Sequence, residues 1–256
     1  MLNNLIDKIR NIIKDINNEK LITVEHKSND KDLVTNVDKK VQTILIDYIK
    51  ELYPNSVVVG EEDSDSLNNL YQESVWIIDP IDGTANFVKR QHSFGMLLAY
   101  YEKGVGQVGI VVDICSQNIY VAKKGEGVSV NNMLIDKSDQ LSLKDSLIHL
   151  DPSLFELCAF FKKHCFGLRY IGAASLDGLD VVLGRAGIYL ASKTGIWDMA
   201  AFHIFSQELG MKIVKFDGSE KRYDEDGPCI IFNNQKIFDE CFELGLFELL
   251  KFINID

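Results

Sequence analysis

The sequence predicts a layered protein with an α+β first half and an α/β second half. Three observations carry that reading. Short apolar runs broken by Gly, Asn and Ser fill residues 93–130 ("SFGMLLAYYEKG", "VGQVGIVVDICS", "NIYVAKKGEGVSVN") and read as antiparallel meander strands. Beyond about residue 145, helical and strand-like pieces alternate, which suggests helices layered on a sheet. Between them "DKSDQLSLKD" is polar, a junction dividing an N-terminal α+β domain, 1–140, from a C-terminal α/β domain, 141–256.

Each element follows in order. In "MLNNLIDKIRNIIKDINNEK", Leu2, Leu5, Ile6, Ile9, Ile12, Ile13 and Ile16 recur at helical spacing with Asp7, Lys8 and Asp15 between them. This predicts an amphipathic helix packed on a domain, not a signal peptide. "KLITVEHKSNDKDLVTNVD" mixes a strand-like stretch with a polar loop. Val41, Ile44, Leu45, Tyr48, Ile49 and Leu52 then return to helical period and stop before Pro54. "SVVVG" and "SVWIID" are short buried strands leading into "EEDSDS" and "DPIDGTANF". In the second half come "DPSLFELCAFFKKH", "GLRYIGAAS", "LDGLDVVLGR", "GIYLAS", "WDMAAFHIFSQELG", "MKIVKFDG" and "CIIFNN", then an amphipathic helix from about Lys236. The aromatic stretch "AFFKKHCF" reads as core at helical spacing.

Composition narrows the function. With 46% apolar and 25% charged residues the chain has a soluble globular profile. Lys and Arg number 27 against 38 Asp and Glu, a net charge of −11, which disfavours nucleic-acid backbones and anionic membranes as partners. No run approaches the ~18 apolar residues of a membrane span. An anionic substrate therefore needs a local source of positive charge. Cys115, Cys158, Cys165, Cys229 and Cys241 are scattered with no C-x-x-C, so buried free thiols in a reducing cytoplasm are expected. His26, His92, His149, His164 and His203 are equally scattered and read as structural. No Gly-rich loop ending in Lys and Ser or Thr supports a kinase or nucleotide hydrolase.

The acids are more informative. Asp79 and Asp82 stand three residues apart on a turn stiffened by Pro80 and opened by Gly83, with the Thr84 hydroxyl following. Alone, this is an Asp-Gly turn capped by its own carboxylates. "GEED" places Glu61 just after another buried strand, and strand ends are where α/β proteins gather ligands. Asp38 and Asp198 each open a helix, where the plain reading is an N-cap. Taken together, Glu61, Asp79, Asp82 and Asp198 make an all-oxygen ligand set, suited to Mg²⁺ or Mn²⁺ rather than zinc. Such carboxylates crowd together only when a cation offsets their repulsion, and cations so held engage phosphate.

"GEED", "WIIDPIDGTANF" and "GIWDMAA", in that order, resemble the inositol monophosphatase family of Mg²⁺-dependent, lithium-sensitive phosphatases. "KSNDKDLVTNVDKKV" resembles its N-terminal loop and helix, and "GAASLDGLDVVLGRAGIY" its substrate-side helix. The resemblance implies a layered αβαβα sandwich of the inositol monophosphatase and sugar phosphatase type, two or three Mg²⁺ ions, and a homodimer. It implies that Glu61, Asp79 and the Ile81 carbonyl hold one metal, that Asp79, Asp82 and Asp198 hold a second, and that Glu61 helps hold a third through water. It further implies that Gly83 and Thr84 N–H groups meet the phosphate and that Asp38 with Thr84 deprotonates the attacking water, in line with phosphorus. Gly172, Ala173 and Ala174 would line the substrate side, and Lys27 would lie in a loop that responds to the third metal.

One position departs from the family. Seven residues before the WD aspartate, where relatives carry a glutamate that contacts inositol hydroxyls, stands Ala191. Lys193, two residues on, reads either as a charge for a second anionic group or as a solvated loop lysine. A phosphomonoesterase for inositol monophosphate and a bulkier substrate is expected. The alternatives are an enzyme mainly for NADP(H) or other 2′/3′-phosphonucleotides, or for fructose 1,6-bisphosphate. A non-catalytic regulatory protein on the same fold predicts a damaged acid set, whereas Asp38, Glu61, Asp79, Asp82, Thr84 and Asp198 are all present.

Overall fold

The apolar stripe at the N-terminus forms α1 (Leu2–Asn18), which buries Leu5, Ile6, Ile9, Ile12, Ile13 and Ile16. This computed structural model describes residues 1–19, 22–26, 33–62, 70, 73–136 and 141–253. The first half continues with β1 (Val24–His26), β2 (Leu33–Thr35), α2 (Asn36–Leu52), β3 (Val57–Gly60), β4 (Ser74–Asp82) and α3 (Thr84–Arg90). The meander follows as β5 (Gly95–Glu102), β6 (Val105–Asp113), β7 (Asn118–Lys123), β8 (Gly127–Val130) and β9 (Met133–Leu134). The second half comprises β10 (Leu147–Leu150), a 3₁₀ turn (Pro152–Leu157), α4 (Cys158–His164), β11 (Gly167–Arg169), α5 (Ala174–Val182) and β12 (Ile188–Thr194). It closes with α6 (Ile196–Leu209), β13 (Lys212–Val214), β14 (Gly227–Phe232), α7 (Gln235–Glu243) and α8 (Leu246–Leu250).

Among the described residues, β1 and β2 form a two-stranded ribbon, and two large sheets carry the rest. The first runs β3-β4-β5-β6-β7-β8-β9 and the second β11-β10-β12-β14-β13. In the first, β3 and β4 are parallel and everything after β4 is antiparallel, which is the expected meander. The second is mixed, with β10, β11 and β12 parallel and β14 antiparallel to both its neighbours.

Strand periodicity explains the layering. Along β4, Trp76 and Ile78 face α1 and α2, while Val75 and Ile77 face the opposite side, so both sheet faces are buried. That opposite side packs on α5 and α6, whose far side meets Tyr189, Ala191, Cys229 and Ile231 of the second sheet. Ile188, Leu190, Ile230 and Phe232 point outward to a third core with Phe161 of α4, Ile237 and Cys241 of α7 and Leu246 of α8. The order helix, sheet, helix, sheet, helix is the αβαβα sandwich.

Three readings need correction. Phe166 of the aromatic stretch is exposed, because α4 ends at His164 and the chain turns extended at Cys165. The C-terminal helix is broken in two at Gly245, whose φ of 82° no helix accommodates. Of the five thiols only Cys229 and Cys241 are buried; Cys115, Cys158 and Cys165 are half-buried, and all five are free.

Candidate active site

β3 and β4 end side by side, with Gly60 opposite Ile78, and the Glu61 N–H donates to the Ile78 carbonyl at 3.1 Å. This brings Gly60, Glu61 and "DPIDGT" to one edge. Side chains three residues apart on a regular strand face opposite ways. Here the pairing of β4 with β5 slips between Asp79 and Asp82, a local bulge that lets both carboxylates serve one site. The Ile81 N–H donates to Asp79 Oδ1 at 3.0 Å and fixes the turn. Asp198 joins from the first turn of α6. Carboxylate oxygens of Asp79, Asp82 and Asp198 lie within 4.8 Å of one another, close enough to hold one cation. Glu61 stands near enough to Asp79 for its charge to act on that carboxyl.

Asp38 and Asp198 turn out to be third-position acids of capping boxes and not N-caps. Thr35 caps α2, and its N–H and hydroxyl both donate to Asp38 Oδ2. Gly195 caps α6, and its N–H donates to Asp198 Oδ2 at 2.7 Å. In each case the other oxygen remains for the site. The Thr84 hydroxyl lies 3.0 Å from Asp38 Oδ1 and 3.0 Å from the Ile81 carbonyl oxygen, so one proton serves two acceptors.

Asp82 faces the second half of the chain. It accepts from the N–H of Ala174 at 3.1 Å, from the N–H of Ser175 at 2.6 Å, and from the Ser175 hydroxyl, capping α5 from another element. Gly83 adopts φ 81°, and a Cβ built there would sit 2.8 Å from Ala173 Cβ, so only glycine admits this approach. The expected substrate-side residues Gly172, Ala173 and Ala174 thus lie against Gly83 and Asp82.

The electrostatics suit a cation. Burial, then the charges of Glu61, Asp82 and Asp198, pushes the Asp79 carboxyl well above the ordinary carboxylate range. Burial, then Asp82 and Glu61, does the same to Asp198. Burial raises Asp82 to about 6 against the opposing hydrogen bonds of Ser175 and Ala174. Burial also raises Asp38, opposed by Thr35 and Thr84. A hard divalent ion relieves these crowded oxygens without any His or Cys ligand, so the donor set fits Mg²⁺.

Not every expected residue converges. Lys193 is exposed near the end of β12 and joins none of these hydrogen bonds among the described residues, while Ala191 is buried in the middle core. Lys27 lies outside the described residues. Several partners were not among the residues expected from the sequence. Gln42 accepts from the Glu62 N–H at 3.0 Å; its signal was a polar residue four after Asp38 on an apolar helix face. Thr35 was legible as T-x-x-D. Ser175 and Asn86 carried no local signal.

An oxygen-ligand cage at the strand ends of an αβαβα sandwich, with a carboxyl–hydroxyl pair beside it, defines the class: a hydrolase of phosphate monoesters that depends on a metal ion. The comparisons give the family. The model of the inositol monophosphatase family matches residues 2–243. The chain is 30% identical over 230 residues to the inositol-1-monophosphatase of Bacillus subtilis, covering 87% of this chain and 86% of that one. It is 32% identical over 212 residues to the Nus factor SuhB of Vibrio cholerae, covering 79% and 78%. A solved IMPase/NADP phosphatase complexed with Mg²⁺ and phosphate superposes with a TM-score of 0.85 at 30% identity, covering 93% and 90%. This chain belongs to the inositol monophosphatase family.

Proposed function

We propose that the chain is a Mg²⁺-dependent phosphomonoesterase acting on inositol monophosphate and on at least one bulkier phosphorylated metabolite. The observation that carries the catalytic part is the Asp38–Thr84 pair beside the Asp79–Asp82–Asp198 cluster, joined through the Ile81 carbonyl. Glu61, Asp79 and the Ile81 carbonyl would hold one ion, and Asp79, Asp82 and Asp198 a second, with Glu61 reaching a third through water; Mn²⁺ would substitute. Bound there, Mg²⁺ supplies charge against the phosphoryl oxygens and acidifies water.

The chain's own groups do the rest. Asp38, its basicity raised by burial, takes the proton of the attacking water through the Thr84 hydroxyl. The Gly83 and Thr84 N–H groups, at the start of α3, donate to the phosphate and hold it in line. Gly172, Ala173 and Ala174 line the organic part of the substrate, and Lys193 offers charge to a second anionic group.

Breadth of substrate is supported by Ala191, which cannot accept a hydrogen bond from a ring hydroxyl. The likeness to a protein named for both IMPase and NADP phosphatase activity supports it as well. The alternative is an enzyme mainly for NADP(H), other 2′/3′-phosphonucleotides or fructose 1,6-bisphosphate. A cytoplasmic homodimer, inhibited by lithium, completes the reading. Comparing kcat/KM for inositol 1-phosphate, fructose 1,6-bisphosphate and NADP, with Mg²⁺ and with chelator, tests it. Turnover of two of the three only with Mg²⁺ is expected; strict preference for inositol 1-phosphate would overturn the breadth, and turnover in chelator the metal.

A further inference from the structure

The turn leading into α5 is tied on both of its hydrogen-bonding edges. Asn86 Nδ2 lies 2.9 Å from the Ile171 carbonyl and 3.4 Å from that of Gly172. The Ile171 N–H donates to Asp177 Oδ1 at 2.9 Å and the Gly172 N–H to Asp177 Oδ2 at 3.0 Å. Gly172 has φ 85°, a left-handed conformation that a flexible glycine leaves readily unless it is held. Asp177 is fully buried and among the described residues has one further side-chain partner, His149 Nδ1, reaching across from β10. His149 is 2% exposed, and its Nε2 lies 3.1 Å from Asp180 Oδ2, nearly one helical turn further along α5. A buried imidazole therefore stands between two acids of one helix, and the first of those acids holds the turn.

We propose that His149 is a positioning residue: by orienting the Asp177 carboxyl it sets the Ile171–Gly172 turn, and so governs how tightly the organic part of the substrate is held. This rests on the reading of Gly172, Ala173 and Ala174 as substrate-facing. A buried carboxyl stripped of its charged partner either rotates to find another or takes up a proton, and both weaken its hold on two backbone N–H groups. Among the described residues, the hydrogen bonds between the acid cluster and this segment are those of Asp82 with Ala174 and Ser175, so loss of His149 moves the turn and spares the phosphoryl chemistry.

The proton on His149 matters. Burial pulls the imidazole down, yet the hydrogen bond to Asp177 and the nearby charges of Asp177 and Asp180 outweigh it and push it up to about 9. The groups facing it are Asp177 and Asp180 on α5, with Arg185 3.5 Å from Asp180. Its register partners are Arg169 on β11 and Tyr189 on β12. Its deprotonation above about pH 9 should loosen the turn.

Steady-state kinetics on the full chain with Mg²⁺ and inositol 1-phosphate test this. His149→Leu is expected to raise KM about tenfold while kcat stays within about twofold and inhibition by inorganic phosphate is unchanged. His149→Asn, which can still donate to Asp177, should recover most of the affinity and lose the alkaline rise in KM that the natural chain should show above about pH 9. An unchanged KM in His149→Leu, or a parallel loss of kcat, overturns the proposal. Should His149→Leu not fold, His149→Asn decides alone, and a KM that keeps the alkaline rise overturns it. Ala174→Leu separates the two readings: if it raises KM and His149→Leu does not, only the positioning role falls. If Ala174→Leu leaves KM unchanged, the turn does not face substrate and both fall.

Discussion

The Thr84 hydroxyl stands 3.0 Å from Asp38 Oδ1, a contact made across 46 residues of chain. Asp38 has little freedom to offer a different geometry, because Thr35 holds its other oxygen through both N–H and hydroxyl. The pair is aimed at the turn between Asp79 and Asp82 by the second contact of Thr84, with the Ile81 carbonyl.

Thr84→Val keeps the shape of the side chain and removes the hydroxyl. If the hydroxyl relays the proton of the attacking water, kcat should fall by ~10²–10⁴ with KM and the Mg²⁺ requirement nearly unchanged. A rise in KM with kcat intact would assign Thr84 to uniform substrate binding instead.

Asp79→Asn should abolish turnover and weaken Mg²⁺ binding in calorimetric titration. In the metal-free protein the same change removes a buried acid raised by desolvation and by three neighbouring charges, so stability should hold or rise. A gain of about 1 kcal/mol would lift Tm by roughly 2–4 °C. A variant with natural activity at low Mg²⁺ would refute the metal assignment.

Protons and metal compete for these acids. Asp82 has a folded-state pKa of about 6 against an ordinary 3.8, so the folded state binds the proton more tightly than the unfolded chain does. The stability this contributes is complete below pH 3.8 and is lost as pH rises through about 6, with Asp79 and Asp198 acting in the same direction. In chelator, Tm should therefore fall from about pH 4 towards neutrality, while the increment added by Mg²⁺ should grow over the same window. Scanning Tm against pH with and without Mg²⁺ checks both slopes; a Mg²⁺ increment that shrinks with rising pH would contradict the assignment.

The acids themselves were legible because each sits in a short contiguous motif at a strand or helix end, where local rules apply. The layering was legible from periodicity, since Trp76 and Ile78 alternate with Val75 and Ile77. What stayed hidden depends on contacts between distant segments. Pro80 and Gly83 announce a turn in "DPIDG", but the slip in β4–β5 pairing that turns Asp79 and Asp82 to one side is a property of two strands. Ser175 meets Asp82 across 93 residues, and His149 meets Asp177 across 28, so both looked like ordinary polar residues of a helix and a strand. Phe166 looked like core because helical spacing was extended two residues past the helix that supports it.

Ser175 provides a final test of how Asp82 is tuned. Its N–H and hydroxyl both donate to Asp82 Oδ2, and these bonds favour the ionised carboxyl against the burial that raises it. Ser175→Ala removes the hydroxyl and leaves the N–H, so α5 keeps its cap while Asp82 becomes harder to deprotonate. Groups that hydrogen-bond a metal-ligating carboxylate typically contribute ~10–100-fold to metal affinity. The Mg²⁺ concentration for half-maximal activity should thus rise about tenfold near neutral pH, with KM unchanged at saturating Mg²⁺. Raising the pH supplies the ionised form by mass action, so the gap between the variant and the natural chain should narrow in alkaline buffer. A gap independent of pH would mean that Ser175 acts by packing beneath Gly95, and an unchanged Mg²⁺ requirement would remove Asp82 from the metal site altogether.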